Sequence, residues 1–321
     1  MGNFHREPRP HASTSFPFHS VGAILVASIT LAACGSSSAG SSNTTTKHAS
    51  NTTSTKSTSP PSRTPLQEVQ LAGSTSAKVK SMHLTFNTVG TSKLGTGQSI
   101  TTTISGSGDV DVVNSQASFT MTETMSLPGS KPMTMQVILA NGMDYISSNS
   151  LSGLPGVNKP WISSNLSGES GSTAITGVLT SPSQMLSILS QVGQVTNLGN
   201  VNINGVPTTE YSVNVNVKAL ASHNIDTPMV GTMRCFGTTN LPIKLWIDSQ
   251  GRVIRYNMIW QFTMPGGTGG MSEVINATYN FSNFGGAVNV SPPSASQTQP
   301  LSSIMPATPS SSHATACVTA G

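Results

Sequence analysis

Cys34 is the residue whose sequence context points most directly to a chemical reaction. It directly follows Leu31-Ala32-Ala33, at the end of an apolar run that begins at Val21. A thiol is a good nucleophile, and small residues after an apolar run are typical of a cleavage point. The context of Cys34 therefore marks it as a candidate for chemical modification.

The residues before Cys34 have the three parts of a secretory signal peptide. A basic, polar start with Arg6 and Arg9 precedes the apolar run, which is too short to span a bilayer as a mature helix. A cysteine after Leu-Ala-Ala resembles the bacterial lipobox, in which the thiol is acylated. We therefore predict a signal peptide over 1–33 and a palmitate-type lipid on Cys34. The alternative is an ordinary signal peptide with an incidental cysteine.

Two further cysteines, Cys235 and Cys317, remain as an even pair. In an oxidising compartment they could form a disulfide that ties the C-terminal tail to the loop around residue 235. The other interpretation is two unpaired thiols. The sequence has no CxxC and no paired histidines, so we expect no metal site.

Catalytic motifs are missing from the sequence. Only ten acidic residues follow Cys34. None belongs to a recognisable acid/base pair, and no GxSxG elbow, phosphate-binding loop or HExxH helix occurs. We expect no enzyme activity and no cofactor, with a hydrolase carrying a degenerate site as a minor alternative. Lysines and arginines are not clustered, so the sequence predicts no nucleic-acid partner.

Composition divides the chain into segments. Charged residues make up 8% and aromatic residues 5% of it. Ser, Thr, Asn, Gly and Pro dominate 34–64 and 294–321, and such segments cannot bury enough apolar surface to fold. We predict a disordered tether over 34–64, one folded domain over 65–293 and a disordered tail over 294–321.

Within 65–293 the apolar pattern changes from helical spacing to strict alternation. Helices are expected at 65–80 and 182–192, each with a proline suited to the first turn. Asn141-Gly142 and Asn204-Gly205 indicate hairpin turns, and Gly106 and Gly108 suggest a bulge or bend. The predicted strands are 82–89, 99–113, 117–126, 133–139, 143–146, 161–162, 195–203, 207–217, 241–248, 252–263 and 272–282.

Methionine and aromatic residues alternate along several of these strands. Met adapts its shape and suits surfaces that accept variable apolar ligands. Any single one of these residues is more often part of a filled core, but if a lipid cavity exists, we predict that its walls come from this set. The candidates are Met121, Met125, Met133, Met135, Val137, Met185, Leu189, Met258, Trp260 and Phe262. Glu123 lies among them and would contact a polar headgroup or face solvent at the rim.

An ordered series of short motifs carries a resemblance to a known family. The series is SGSGDVD at 105–111, NGMDYI at 141–146, KPWI at 159–162, NGVPTTEY at 204–211, LPIKLWID at 241–248, GRV at 251–253, FSNFG at 281–285 and VNVSPP at 288–293. Together with the lipobox it resembles the actinobacterial LppX/LprA/LprF/LprG lipoproteins, which are similar in fold to LolA and LolB.

The resemblance implies both a fold and a role. The implied fold is α+β: a strongly curved antiparallel β-sheet, a LolA-like half-barrel, with helices packed on its concave face. The implied role is to bind and carry, or present, a lipid or lipoglycan in an apolar cavity, with a membrane transporter as a further partner. The expected location is the extracytoplasmic face of the cell membrane. The alternative is a non-catalytic cell-envelope scaffold or adhesion module with a filled core.

Overall fold

Twelve strands of alternating sequence form one large, open, curved sheet. The computed structural model describes residues 63–95, 97–165, 193–222, 233, 236–264 and 271–304. The strands are β1 Ser81–Leu94, β2 Ser99–Asp111, β3 Gln116–Met125, β4 Met133–Ala140, β5 Met143–Ser148, β6 Trp161–Asn165, β7 Gly193–Ile203, β8 Val206–Asn216, β9 Asn240–Asp248, β10 Val253–Met264, β11 Met271–Ser282 and β12 Thr298–Pro300. Their spatial order is β12-β6-β5-β4-β3-β2-β1-β11-β10-β9-β8-β7.

Two-residue turns fix the register of the hairpins, as the sequence predicted. Asn141 and Gly142 have φ of 56° and 73°, and they join β4 to β5. Asn204 and Gly205 have φ of 52° and 87° between β7 and β8. Positive φ at both central positions matches the twist of the paired strands, and Asn and Gly tolerate it best.

Alternate residues of the strands place one nearly continuous apolar face on the sheet. Leu84, Phe119 and Val213 are 0%, 1% and 0% exposed, and they belong to the same hydrophobic cluster. We call this side of the sheet the apolar face. The other side carries Thr, Ser, Asn and most of the charged residues of the strands, such as Lys244, which lies 2.9 Å from Glu210. This one-sided pattern is typical of an antiparallel sheet with one solvated face.

Gly106 and Gly108 keep β2 flat and do not form the expected bulge. The register of β2 with both β1 and β3 is continuous through them. A Cβ at Gly106 would lie 2.6 Å from Phe86 Cζ, and one at Gly108 would lie 2.4 Å from Phe119 Cδ1. The two glycines therefore leave room for aromatic rings from the neighbouring strands to lie across β2.

The helices that the structure describes are few. α1, Pro65–Ser76, starts with a capping box between Thr64 and Gln67, buries Val69 and Ala72 in the core cluster, and contacts β7. α2, Val217–Ser222, is six residues long. The helix expected at 182–192 lies outside the described residues. The protein in the described ranges is mostly β.

The C-terminal segment corrects the prediction of a purely antiparallel sheet. β12 pairs with β6 in parallel, so the sheet is mixed, and residues assigned to the tail by composition extend the folded part to 304. Parallel pairing becomes possible because a long connection separates the two strands. Composition missed this segment because a strand of three residues carries no alternation to detect.

Side chains hold β12 in place. Gln299 is 6% exposed, and its Oε1 accepts hydrogen bonds from the backbone N–H groups of Asn158 and Lys159 at 2.8 and 3.0 Å. Its Nε2 donates to the carbonyl of Gly156 at 3.0 Å. Lys159 Nζ donates to the carbonyls of Ala295 and Thr298 at 3.1 and 2.9 Å. We call this arrangement the β12 clasp.

Replacing Gln299 with alanine should loosen the β12 clasp. Two part-buried backbone N–H groups would lose their acceptor, and each hydrogen bond of this kind contributes about 0.5–1.5 kcal/mol. We expect amide hydrogen exchange in β6 and β12 to accelerate about tenfold or more. Gln297→Ala is the matched control because that glutamine is exposed. Equal exchange in the two variants would show that β12 is held by its backbone alone.

Candidate functional site: the apolar face

Eight of the ten predicted lining residues lie in described strands, and all eight share the apolar face. Met121 lies opposite Met135, and Glu123 lies opposite Met133, so the β3–β4 pair carries a methionine strip. Met121 and Val137 are 3% and 4% exposed, whereas Met125, Met133 and Met135 are half-buried. The alternation read from the sequence therefore gave the correct face for every one of these residues.

The remaining three described candidates belong to an aromatic cluster on β10. Trp260 and Phe262 have ring centroids 4.6 Å apart, and Phe236 stacks on Phe262 at 4.8 Å. The indole Nε1 of Trp260 donates to Thr238 Oγ1 at 2.9 Å, which satisfies the one polar atom of that ring. Met258 follows on the same face at 8% exposed.

Sequence reasoning missed Phe236 as a member of this cluster. It lies in a short turn with Gly237, outside any alternating strand, and so has no periodic signal. Its neighbour Met233 is also buried, at 1% exposed. A pair of large apolar residues beside a glycine was the only available signal.

A second aromatic group joins β1, β11 and β10. The rings of Tyr256 and Tyr279 stack at 4.5 Å, and Tyr279 stacks on Phe86 at 6.2 Å. Burial raises the pKa of both tyrosines, so both stay neutral at physiological pH. Tyr256 stood in the alternating pattern of β10, yet neither tyrosine was among the candidates. The group extends the apolar face between the methionine strip and Trp260.

Three carboxyl groups lie on the apolar face: Asp144 at one end, and Glu123 and Glu273 at the other. Glu123 is 8% exposed, and its Oε2 is buried without a hydrogen-bond partner. The structure therefore excludes the alternative of Glu123 as a solvent-facing rim residue. Glu273 lies opposite Phe262 and Ser92 and is half-buried. Burial raises the pKa of the Glu123 and Glu273 carboxyls, because desolvation disfavours the ionised form.

Several predicted functional residues lie outside the described residues. They are Cys34, Met185, Leu189, Cys235 and Cys317. Lipidation of Cys34, pairing of the other two cysteines and the contribution of the second helix to a cavity remain predictions.

The described apolar residues pack against one another. Two open depressions lie elsewhere: one of about 410 Å³ is lined by Val201, Thr208 and Ile247 among others, and one of about 270 Å³ is lined by Thr120 and Gln136 among others. Met135 is the one predicted lining residue that borders either depression. A ligand on the apolar face would therefore have to displace side chains that now contact each other.

Metal and membrane-spanning features are absent from the described ranges. No group of three or more His, Cys, Asp or Glu side chains there could hold a metal ion. No helix in that part of the chain is long and apolar enough to cross a membrane.

This chain is similar to several solved structures. No family model and no curated protein matches the sequence. LprF from Mycobacterium bovis is 16% identical, with 72% of this chain and 97% of LprF covered at a TM-score of 0.43. The Mycobacterium tuberculosis lipoprotein LppX is also 16% identical, with coverage of 71% and 98% and a TM-score of 0.41. A LolA superfamily protein from Nitrosomonas europaea is 10% identical, with coverage of 68% and 94% and a TM-score of 0.25. The predicted resemblance to LppX- and LprF-type lipoproteins is confirmed.

Proposed function

We propose that this protein is a lipoprotein anchored through Cys34 to the extracytoplasmic face of the cell membrane, and that its apolar face binds a lipid or lipoglycan. The protein carries or presents that lipid, with a membrane transporter as a further partner. Helices, including the one expected at 182–192, cover the concave side of the sheet and enclose the acyl chain. Met185 and Leu189 would then face the methionine strip.

One observation carries this proposal: methionine and aromatic side chains gather on one side of a single sheet. Met121, Met133, Met135 and Met258 share that face with Trp260. Unbranched thioether side chains change rotamer at low cost, so a methionine-lined surface can repack around an acyl chain. A core selected only for tight packing would use branched aliphatic residues with fewer rotamers.

The free energy gained by burying an acyl chain is large enough to drive such repacking. Burying one CH₂ group gains about 0.8 kcal/mol, so a sixteen-carbon chain gains roughly 12 kcal/mol. That is comparable with the whole stability of a typical domain, about 5–15 kcal/mol. An acyl chain can therefore displace methionine side chains that pack against one another in the free protein.

Lipid extraction from the purified protein tests the proposal. The protein is isolated from native membranes with mild detergent, extracted with organic solvent and analysed by mass spectrometry. We expect about one lipid per protein beyond the acyl groups attached to Cys34. The acyl groups attached covalently to Cys34 stay with the precipitated protein, so lipid in the solvent extract comes from non-covalent binding alone. A solvent extract that contains no lipid would contradict the carrier function.

The filled-core scaffold remains the second candidate, and one observation favours it. Met121, Val137, Trp260 and Phe262 are only 3–4% exposed, which is the exposure of ordinary core residues. A scaffold of this kind would give a lipid-free extract and would show no saturable binding of amphiphiles.

Replacing Cys34 with alanine should release the protein from the membrane. The apolar run before Cys34 is removed with the signal peptide, so the acyl groups on the thiol supply the anchoring free energy. We expect wild type in the membrane fraction and Cys34→Ala in the soluble fraction, or retained as an unprocessed precursor of higher mass. Cys317→Ala is the matched control and should stay with the membrane. A mature Cys34→Ala protein that remains membrane-bound would contradict the anchor.

A further inference from the structure

The apolar face has a polar end. Along β1 it runs from buried Leu84 and Phe86 to half-buried Thr88, Gly90 and Ser92. On β3 the same direction leads from Phe119 through Met121 to Glu123. Polar groups at this end lie among apolar ones, since Met133 lies opposite Glu123 and Phe262 lies opposite Glu273. An amphiphile lying along β1 to β3 would therefore find apolar contacts along its length and polar acceptors at this end alone.

Glu123 is the most enclosed polar group at this end. It lies opposite Ile104 on β2 and Met133 on β4, and Thr88 lies opposite Ile104 on the next strand. At 8% exposed, with a buried and unpartnered Oε2, its carboxyl is a hydrogen-bonding group without a partner in the free protein. Leaving such a group unpaired is costly, so an occupant that pairs with it gains that energy.

Glu273 brings a second carboxyl to the same end. Its Oε1 lies 3.2 Å from the position that a Cβ on Gly90 would take. The side chain therefore reaches across β1 towards β2, where Thr102 lies opposite Gly90. Gly90 has no side chain to block this approach.

Within the described strands, no positive charge lies on the apolar face beside these carboxyls, because Lys93, Lys244 and Arg255 all lie on the polar side of the sheet. The other titratable groups of the described apolar face are Asp144, at the opposite end, and the tyrosines Tyr211, Tyr256 and Tyr279, with Glu68 of α1 near Tyr211. This end of the face therefore repels anionic headgroups and attracts cations.

Building on the proposed function, we propose that Glu123 is the headgroup acceptor for a primary ammonium group on the bound amphiphile. Glu123 accepts the ammonium hydrogen bond, and the hydroxyls of Thr88 and Thr102 offer further acceptors. Glu273, which the strand pairing places three strands away on β11, adds only longer-range attraction. The acyl chain then lies towards Leu84 and Phe119. The Glu123 carboxyl ionises on binding and releases its proton, because a bound cation favours the charged form.

Three probes with the same chain test this assignment by calorimetry on the full mature protein: dodecylammonium, dodecanol and dodecyl phosphate, each below its micelle concentration. Dodecylammonium should bind about 10- to 100-fold more tightly than dodecanol, the range expected for a charge-assisted hydrogen bond. Its affinity should rise with pH as the carboxyls ionise, whereas dodecanol binding should not depend on pH. Dodecyl phosphate should bind most weakly.

Matched variants separate the site from the general charge of the protein. Glu123→Gln should remove most of the preference for dodecylammonium, and Glu273→Gln should remove part of it. Glu210→Gln changes the same residue type on the polar side, where Glu210 pairs with Lys244, and should leave the preference intact.

A second readout needs no ligand. Because the pKa of Glu123 is raised in the folded state, the folded protein holds this proton more tightly than the unfolded chain does. The stability contributed by the neutral carboxyl is therefore full below the unfolded pKa of about 4.3 and is lost as pH rises through the folded value. Glu123→Gln should have a flatter stability profile over that window, which also shows that the variant folds.

The outcomes distinguish failure of the ammonium site from failure of the lipid-binding function. Equal binding of the three probes, tighter binding of dodecanol or dodecyl phosphate, or a preference unchanged in Glu123→Gln would overturn the ammonium site and leave the lipid-binding function intact. If none of the probes binds, the proposed function is overturned and the headgroup site with it.

Discussion

Gly108→Ala should destabilise the protein by about 3 kcal/mol, at the upper end of the usual cost of overpacking a core. The added Cβ would lie 2.1 Å from the Ser118 carbonyl oxygen and 2.4 Å from Phe119 Cδ1. The first of these atoms is backbone, and Phe119 is 1% exposed, so neither can move without shifting β3. Urea unfolding followed by tryptophan fluorescence measures the loss.

Gly90→Ala is the control for that experiment. It is also a strand glycine on the apolar face, but its added Cβ meets only the flexible end of Glu273, at 3.2 Å, and the carbonyl of Thr102 at 4.0 Å. We expect a change within about 1 kcal/mol, since most of the contact can be relieved by a side-chain movement. If both variants lose the same stability, the effect comes from the general cost of replacing a strand glycine with alanine. The packing of Phe119 across β2 would then not explain it.

Trp260→Ala should cost about 4 kcal/mol, within the range for truncating a large buried aromatic residue. The indole is 3% exposed and packs beside the stacked pair of Phe262 and Phe236, at centroid distances of 4.6 and 6.4 Å. Removing it also leaves the Thr238 hydroxyl, which is in a residue only 8% exposed, without its donor. Chemical unfolding monitored by circular dichroism gives the value, because the variant loses the main fluorophore of the region.

Trp260→Phe separates the two contributions. It keeps an aromatic ring beside Phe236 and Phe262 but removes the Nε1 donor, so we expect a loss of about 1–2 kcal/mol. Thr238→Val removes the acceptor instead and should cost a similar amount. A Trp260→Phe loss as large as that of Trp260→Ala would show that the hydrogen bond to Thr238, and not ring packing, holds this turn on the sheet.

The sequence was sufficient to predict the face that each strand residue occupies. Strict alternation in 117–126 put Phe119, Met121 and Glu123 on one side, and the pairing of β3 with β4 agrees. The hairpin turns predicted at Asn141-Gly142 and Asn204-Gly205 then identified two pairs of neighbouring antiparallel strands. These signals are local, so they need no knowledge of distant contacts.

The features that sequence reasoning missed depend on contacts between distant residues. The environment of Gly106 is set by Phe86, twenty positions earlier, and by Met121 on the next strand, so a glycine that suggested a bulge instead makes room for a ring. β12 is placed by Gln299 and Lys159, which are 140 residues apart. The burial of Glu123 likewise depends on how its neighbours pack. Alternation predicts which face of the sheet a residue lies on but not how deeply its side chain is buried.

The β12 clasp has a consequence for the order of folding. β6 is synthesised about 140 residues before its partner, and until Thr298–Pro300 are available its outer edge offers unpaired N–H and C=O groups to any strand nearby. Such a long sequence separation makes closure of this edge slow compared with the hairpins around it. A chaperone that covers an open strand edge would therefore act on β6 during that interval.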